Sequence, residues 1–437
     1  MRSPEQRPLE LRLLGGLVVW IRTAYCGPAA RTGKRRRGEG SGVYPELAVL
    51  GISEGSSPAL ASEVGRLSAL LPSYEVARGE LVARGVPLDI KVVHRIAGQL
   101  GAEILTARRR DLERYRAGDL PRGRELAGKR VGVAIDGGRT RLRTVIRKQK
   151  GRGKGKKQRR RFRVEWREPK VLIIFSMDRR GRMFAKSRPW MDGTFGGPDE
   201  VMELLAMHLH RLGAAQATVV TFLADGAPWI WERLAWVEQR VGLTAARTVR
   251  VLDWCHALHH VSLGLEALGL QGKERQRLYA QCKKWLRAGK TGTVLAELVV
   301  RSLEVADNPA LVTALRYLEK HQLAGHLAYD QCRRRRLPLG SGAIESAIRR
   351  VINLRLKGPG LMWREENAEA LLVLRAAALT DRWHETLNHV RATMASDRRL
   401  AWHWTSPDMP AELKAGVTIS PPLPQPPAAQ GSKPAAA

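Results

Sequence analysis

The 437 residues carry 75 Lys and Arg against 42 Asp and Glu, a net charge of +33 with a pI near 11.0. No apolar run reaches bilayer length, residues 14–21 are too short for a membrane helix and lack a convincing cleavage site, and four scattered cysteines make no disulfide framework. An arginine-rich balance of this size implies a polyanionic partner, with nucleic acid ahead of a membrane surface. A cytoplasmic, nucleoid-associated protein is expected.

Residues 1–57 are basic and poorly patterned, with a glycine-flanked basic stretch over 31–37. From Pro58 the pattern turns helical, with Leu60, Val64, Leu67 and Leu71 on one face. Ser73 is placed to cap a second helix running to Ala83, and Asp89 a third with Val92, Val93, Ile96 and Leu100 as its apolar face. The third helix carries Lys91, His94 and Arg95 outside. This predicts a helix-turn-helix-like region over 58–106 in which Lys91 and Arg95 touch DNA, although a plain helical bundle reads the same way. Residues 108–128 read as a charged linker or helix.

Val131-Gly132-Val133-Ala134-Ile135 is the first strong strand signal, an apolar run fit for burial on both faces. It ends in Asp136-Gly137-Gly138, a carboxylate at a sheet edge where a phosphate backbone has room to approach. Residues 139–163 then hold fourteen Lys or Arg and no acid, with glycines at 151, 153 and 155. They predict a basic hairpin that grips DNA through Arg139, Arg141, Lys154, Lys156, Lys157, Arg159, Arg160 and Arg161; a merely solvated loop is the alternative.

Strands are predicted over 171–177 and 183–187, with Asp178-Arg179-Arg180-Gly181 as the turn. A helix from Pro198 to Gly213 follows, then a strand over 217–224 ending in Asp225-Gly226. A helix over 229–241 leads to a strand over 249–252 ending in Asp253. Residues 254–336 are helical throughout. Ser341 is then placed to cap a helix with Glu345, Ile348, Arg349 and Ile352 on one strip, stopped by Gly358-Pro359-Gly360. A last helix is predicted over 367–379, and residues 405–437 are Pro- and Ala-rich and expected to be disordered.

Asp136, Asp225 and Glu345 would supply three carboxylates from two strand ends and one helix. Mg²⁺ takes oxygen ligands and keeps room for substrate phosphate, and two such ions about 3.5–4 Å apart serve in-line phosphoryl transfer. Taken singly, each acid has a plainer role, Asp before Gly as a turn residue and Glu345 as the partner of Arg349.

Val133-Ala134-Ile135-Asp136-Gly137-Gly138-Arg139, Phe222-Leu223-Ala224-Asp225-Gly226-Ala227, Asp253-Trp254-Cys255-His256 and Gly340-Ser341-Gly342-Ala343-Ile344-Glu345-Ser346 together resemble bacterial insertion-sequence transposases of the DDE type. The likeness is nearest to the ISKra group, related to the Mutator-like class. Arg355-Leu356-Lys357-Gly358-Pro359-Gly360, Trp363 and Glu366-Asn367-Ala368-Glu369 extend it, over roughly residues 60–390.

The resemblance implies an α/β fold: an RNase H-like mixed sheet flanked by helices, split between 128–253 and 337–395. A large all-helical insertion over 254–336 would precede the last catalytic helix. It implies Asp136, Asp225 and Glu345 as metal-binding catalytic residues for two Mg²⁺ or Mn²⁺ ions, with Asp253, His256 and Arg349 as accessory residues. The partners implied are double-stranded DNA, at transposon ends and target, and further copies of the chain.

The family has an aromatic residue where Cys255 stands, and cysteine pairs near its N-terminus where only Cys26 is present. Cys255, His256, His259, His260 and Cys282 lack the paired spacing of a zinc site. Two other functions fit the same residues: a basic DNA-binding protein without catalysis, and a structure-selective nuclease of the same fold.

Overall fold

The computed structural model describes residues 5–26, 44–146, 161–184, 186–303 and 308–401. The chain divides into two units, 1–394 and 395–437.

The first unit opens on an antiparallel hairpin, β1 (Glu5–Arg12) and β2 (Val18–Tyr25), where no regular structure is predicted. Its strands lie largely open to solvent, with Trp20 exposed and, among their described residues, only Leu11 and Thr23 buried, so no continuous apolar face marks them. The turn at Gly15 and Gly16, with φ of 90° and 85°, was the available signal, since only glycine takes that conformation freely. The basic stretch at 31–37 lies outside the described residues.

A short α1 (Pro45–Leu50) precedes α2 (Pro58–Leu70), α3 (Tyr74–Ala83) and α4 (Ile90–Ala117). Two starts follow the predicted caps, Ser73 Oγ accepting from the Val76 N–H and Asp89 Oδ1 from Lys91, and Ser57, which was not expected, caps α2 by accepting from the Leu60 N–H. Leu60, Val64, Ala77, Leu81, Val93 and Ile96 make a small core of their own. The helix α4 does not stop near residue 106 but runs on for 28 residues, and Ile104, Ala107, Leu112 and Tyr115 join the main core.

The central sheet has the order β7-β6-β3-β8-β9. Its first strand, β3 (Arg130–Gly137), leads into a separate two-stranded ribbon, β4 (Thr140–Val145) with β5 (Phe162–Arg167), and the chain returns in β6 (Lys170–Met177). Among the described residues of 183–187 no strand forms: Met183 makes one bridge to Met177, and β7 (Trp190–Thr194) takes the sheet edge instead. Trp190-Met191-Asp192-Gly193-Thr194 escapes sequence patterning because a buried acid and a glycine interrupt it. Asp192 is tolerated there because Arg108 meets its Oδ1 at 2.9 Å and His208 Nε2 its Oδ2 at 2.8 Å.

Pro198 opens α5 (Pro198–Leu212) and Gly213, at φ 79°, closes it. The next strand, β8 (Val219–Ala224), runs parallel to β3, and α6 (Pro228–Val241) returns the chain to β9 (Thr248–Leu252), parallel to β8. Near-continuous burial along β3, β6 and β8, mostly of apolar side chains, matches a sheet covered by helices on its faces. The helical run that follows comprises α7 (Trp254–Ala267), α8 (Gly272–Arg287), α9 (Thr291–Ser302), α10 (Pro309–Leu323) and α11 (Tyr329–Arg334). Then come α12 (Gly342–Ile348), α13 (Glu365–Leu379) and α14 (Trp383–Ala401), the last not anticipated from the sequence.

Candidate active site

Parallel pairing of β3 with β8 sets Arg130 across from Val219 and Ala134 across from Leu223. Two residues further on, that register brings Asp136 abreast of Asp225. Between β8 and β9 it brings Ala224 to Leu252, and one residue on Asp225 stands abreast of Asp253. Three aspartates thus leave the carboxyl ends of three neighbouring parallel strands, about 4.8 Å apart strand to strand.

They are not equivalent. Asp253 is only 1% exposed, and both of its oxygens are taken: Oδ1 by the His256 N–H at 2.9 Å, Oδ2 by the Ser341 N–H at 2.6 Å. It caps α7 and pins the start of α12 to the end of β9. Asp136 and Asp225 are half-buried and each commits one oxygen. Asp136 Oδ1 accepts from the Gly137 N–H at 2.6 Å and Asp225 Oδ1 from the Ala227 N–H at 3.0 Å. The Oδ2 atom of each has no hydrogen-bond partner among the described residues.

Burial pushes the Asp136 carboxyl up to about 6; the Gly137 N–H opposes this, and the negative charge of Asp225 adds to it. Two carboxylates that repel each other across open oxygens are a fitting donor pair for a divalent cation. Glu168 is a further acid at this end, missed in the sequence. It follows β5, lies so close to Gly137 that a Cβ there would overlap its carboxylate, and pairs with Lys170 at 3.1 Å. His256 is exposed and stands among the charges that act on Asp136.

Glu345 occupies the exposed first turn of α12. The Ser341 Oγ donates to its Oε1 at 3.4 Å, so Ser341 tethers it instead of capping the helix with its side chain. Its charge reaches Cys255, whose thiol is raised by burial, by Asp253 and by Glu345. The strip of Glu345, Ile348, Arg349 and Ile352 is split: both isoleucines are buried, Glu345 and Arg349 are exposed, and no ion pair joins the latter two. The helix widens to a π turn over Arg349–Asn353, and the carbonyls of Arg350 and Val351 accept from the buried Arg375 guanidinium, which also reaches Ala69.

Behind Asp225 stands an aromatic wall that the sequence did not announce. The Trp231 Nε1–H donates to the Asp225 carbonyl at 2.6 Å, and Trp231 stacks on His326 at 4.0 Å. Tyr317 from α10 lies against Gly226, leaving no room for a Cβ, and stacks on His260 at 3.5 Å. Burial pushes His260 and His321 down to about 4 and His326 to about 3, so these rings pack uncharged. The buried Cys282 thiol is raised to about 11. Neither set resembles a zinc ligand group. Among the described residues, no group of three or more His, Cys, Asp or Glu is arranged to hold a metal ion.

Of the residues expected to touch DNA, Arg139, Arg161, Lys91 and Arg95 are exposed, Arg95 within 3.2 Å of Glu54. His94 is turned against Tyr74 at 5.0 Å. Arg141 is half-buried and donates to the Gly358 carbonyl at 2.8 Å. Lys154, Lys156, Lys157, Arg159 and Arg160 lie outside the described residues. No helix among the described residues is long and apolar enough to cross a membrane. No family model, no curated protein and no solved structure matches the chain.

Proposed function

We propose that this chain is a DDE-type DNA transposase with an RNase H-like catalytic core, cutting at transposon ends and joining them to target DNA. The observation that carries the reading is the pair Asp136 and Asp225, abreast at the ends of adjacent parallel strands with one oxygen each left open. The strand order supports it: three antiparallel strands, then two parallel ones added on the other side of the first. So does the helical insertion between the last strand and the Glu345 helix.

In this reading Asp136 and Asp225 hold the cations, joined by Glu345 from α12. A bound Mg²⁺ or Mn²⁺ pair supplies positive charge at the reacting phosphate and acidifies the attacking hydroxyl. Asp136 must be ionised to serve, so cation binding weakens as pH falls below about 6. Asp253 positions rather than binds, since its carboxylate locks α7 and α12 together. The exposed arginines leading away from Asp136 hold the phosphate backbone.

Single replacement of Asp136, Asp225 or Glu345 by Ala should abolish divalent-dependent nicking of end-containing DNA while leaving binding within a few-fold. Undiminished cleavage by any one variant removes that residue from the role. A second reading, a basic DNA-binding protein without catalysis, draws on the exposed placement of Glu345. Salt-sensitive binding by the wild type, with no nicking in Mg²⁺ or Mn²⁺, would favour it.

A further inference from the structure

The β4–β5 ribbon leaves the sheet four residues after Asp136 and has two unlike faces. Directly opposed residues of an antiparallel pair project to the same side. Leu142, opposite Glu165, faces inward and is buried; the segment around Trp363 docks beside it, bonding to the Arg141 carbonyl and the Arg143 N–H. The outward face carries Arg141 opposite Trp166, Arg143 opposite Val164, and Val145 opposite Phe162.

This outward face combines apolar exposure with positive charge. Trp166 is 56% exposed and Phe162 40%, and with the exposed Val145 and Val164 on the same face they form one apolar patch rather than scattered single residues. The guanidinium of Arg141 lies over the Trp166 ring at 5.6 Å and that of Arg143 over Phe162 at 5.0 Å. Arg141 is held in place by the Gly358 carbonyl. Rings interleaved with guanidinium groups suit nucleobases next to phosphates. Duplex DNA would use the arginines but hides the base faces that Trp166 and Phe162 could stack upon.

We propose that this face binds unpaired DNA, stacking bases on Trp166 and Phe162 while Arg141 and Arg143 hold the flanking phosphates. The proposal deepens the transposase reading by naming a single-stranded segment as what the ribbon presents next to Asp136. It commits to a nucleic-acid occupant rather than a second protein because the sequence joining the two strands holds, over residues 147–160, nine Lys or Arg and no acid.

The test is fluorescence anisotropy, in EDTA, with a short blunt duplex and the same duplex bearing an unpaired oligothymidine extension. Wild type should prefer the extended duplex by about tenfold or more, as expected for one or two stacked bases. Phe162→Ala with Trp166→Ala should remove that preference, leave blunt-duplex binding within about threefold and leave thermal melting unchanged. Trp166→Phe should retain most of the preference. Equal wild-type affinity for the two probes, or a preference surviving the double variant, overturns the proposal. Cleavage plays no part in the readout, so an absence of nicking counts against the transposase reading alone, and an absence of all DNA binding counts against both.

Discussion

Asp136 shows what an open carboxylate pair costs the fold. Its proton affinity is higher in the folded chain, about 6 against an ordinary 3.8, so its contribution to stability is greatest below about pH 4 and falls as pH rises to 6. Asp136→Asn should therefore raise the melting temperature at pH 8 without divalent cation. The gain should be about 1–2 kcal/mol after solvent screening, and should vanish towards pH 4. The same variant should lose any cation-induced rise in melting temperature seen in the wild type. Both outcomes can be read from one set of thermal melts. Asp192 has the opposite sign. Burial alone would raise it, but Arg108 and His208 outweigh burial and hold its carboxyl below the usual range. Its contribution is present above about pH 4 and lost on acidification. Asp192→Asn leaves Arg108 partly uncompensated in a buried site and should cost about 3–5 kcal/mol in urea denaturation.

At the level of elements, the crossing of α4 over α13 ties the early helices to the sheet domain. Gly101 makes it possible: a Cβ there would stand 2.6 Å from the Ala370 Cβ and 2.9 Å from its backbone. Gly98, one turn earlier on the same helix, has nothing within 4 Å. Gly101→Ala should therefore destabilise by about 1–3 kcal/mol, because backbone must move. Gly98→Ala should stabilise by about 0.5–1 kcal/mol through helix propensity alone. Equal effects in chemical denaturation would mean that the two helices can separate at the crossing without cost. The same crossing explains why the helix capped by Asp89 was legible in its start but not in its length. Its cap and apolar face lie in the sequence, whereas its extension to Ala117 depends on packing against α13 and α5.

For the whole molecule, a net charge of +33 predicts DNA affinity that falls linearly in log–log form with salt, by about 0.9 per phosphate neutralised. Replacing residues 147–160 by a short Gly-Ser turn should flatten that slope by about one for each phosphate that is no longer neutralised, and an unchanged slope would remove the basic stretch from the interface. Much of the architecture was readable because buried strands and capped helices write themselves as local patterns: β3, β8, β9, α5, α6 and the helical run after Asp253 all fall where the apolar periods place them. The β1–β2 hairpin, β7 and α14 were not readable. The hairpin is open to solvent, and β7 owes its buried aspartate to an arginine from α4 and a histidine from α5. By itself the sequence determined the strong positive charge and the two strand-end aspartates, since charge and strand-end chemistry are local. Only the tertiary structure decided that Asp136 and Asp225 stand abreast, that Asp253 joins the starts of α7 and α12, and that Glu345 sits on an exposed turn. Those outcomes follow from strand register and helix docking, which join residues far apart in the chain and leave no trace in any one stretch of it.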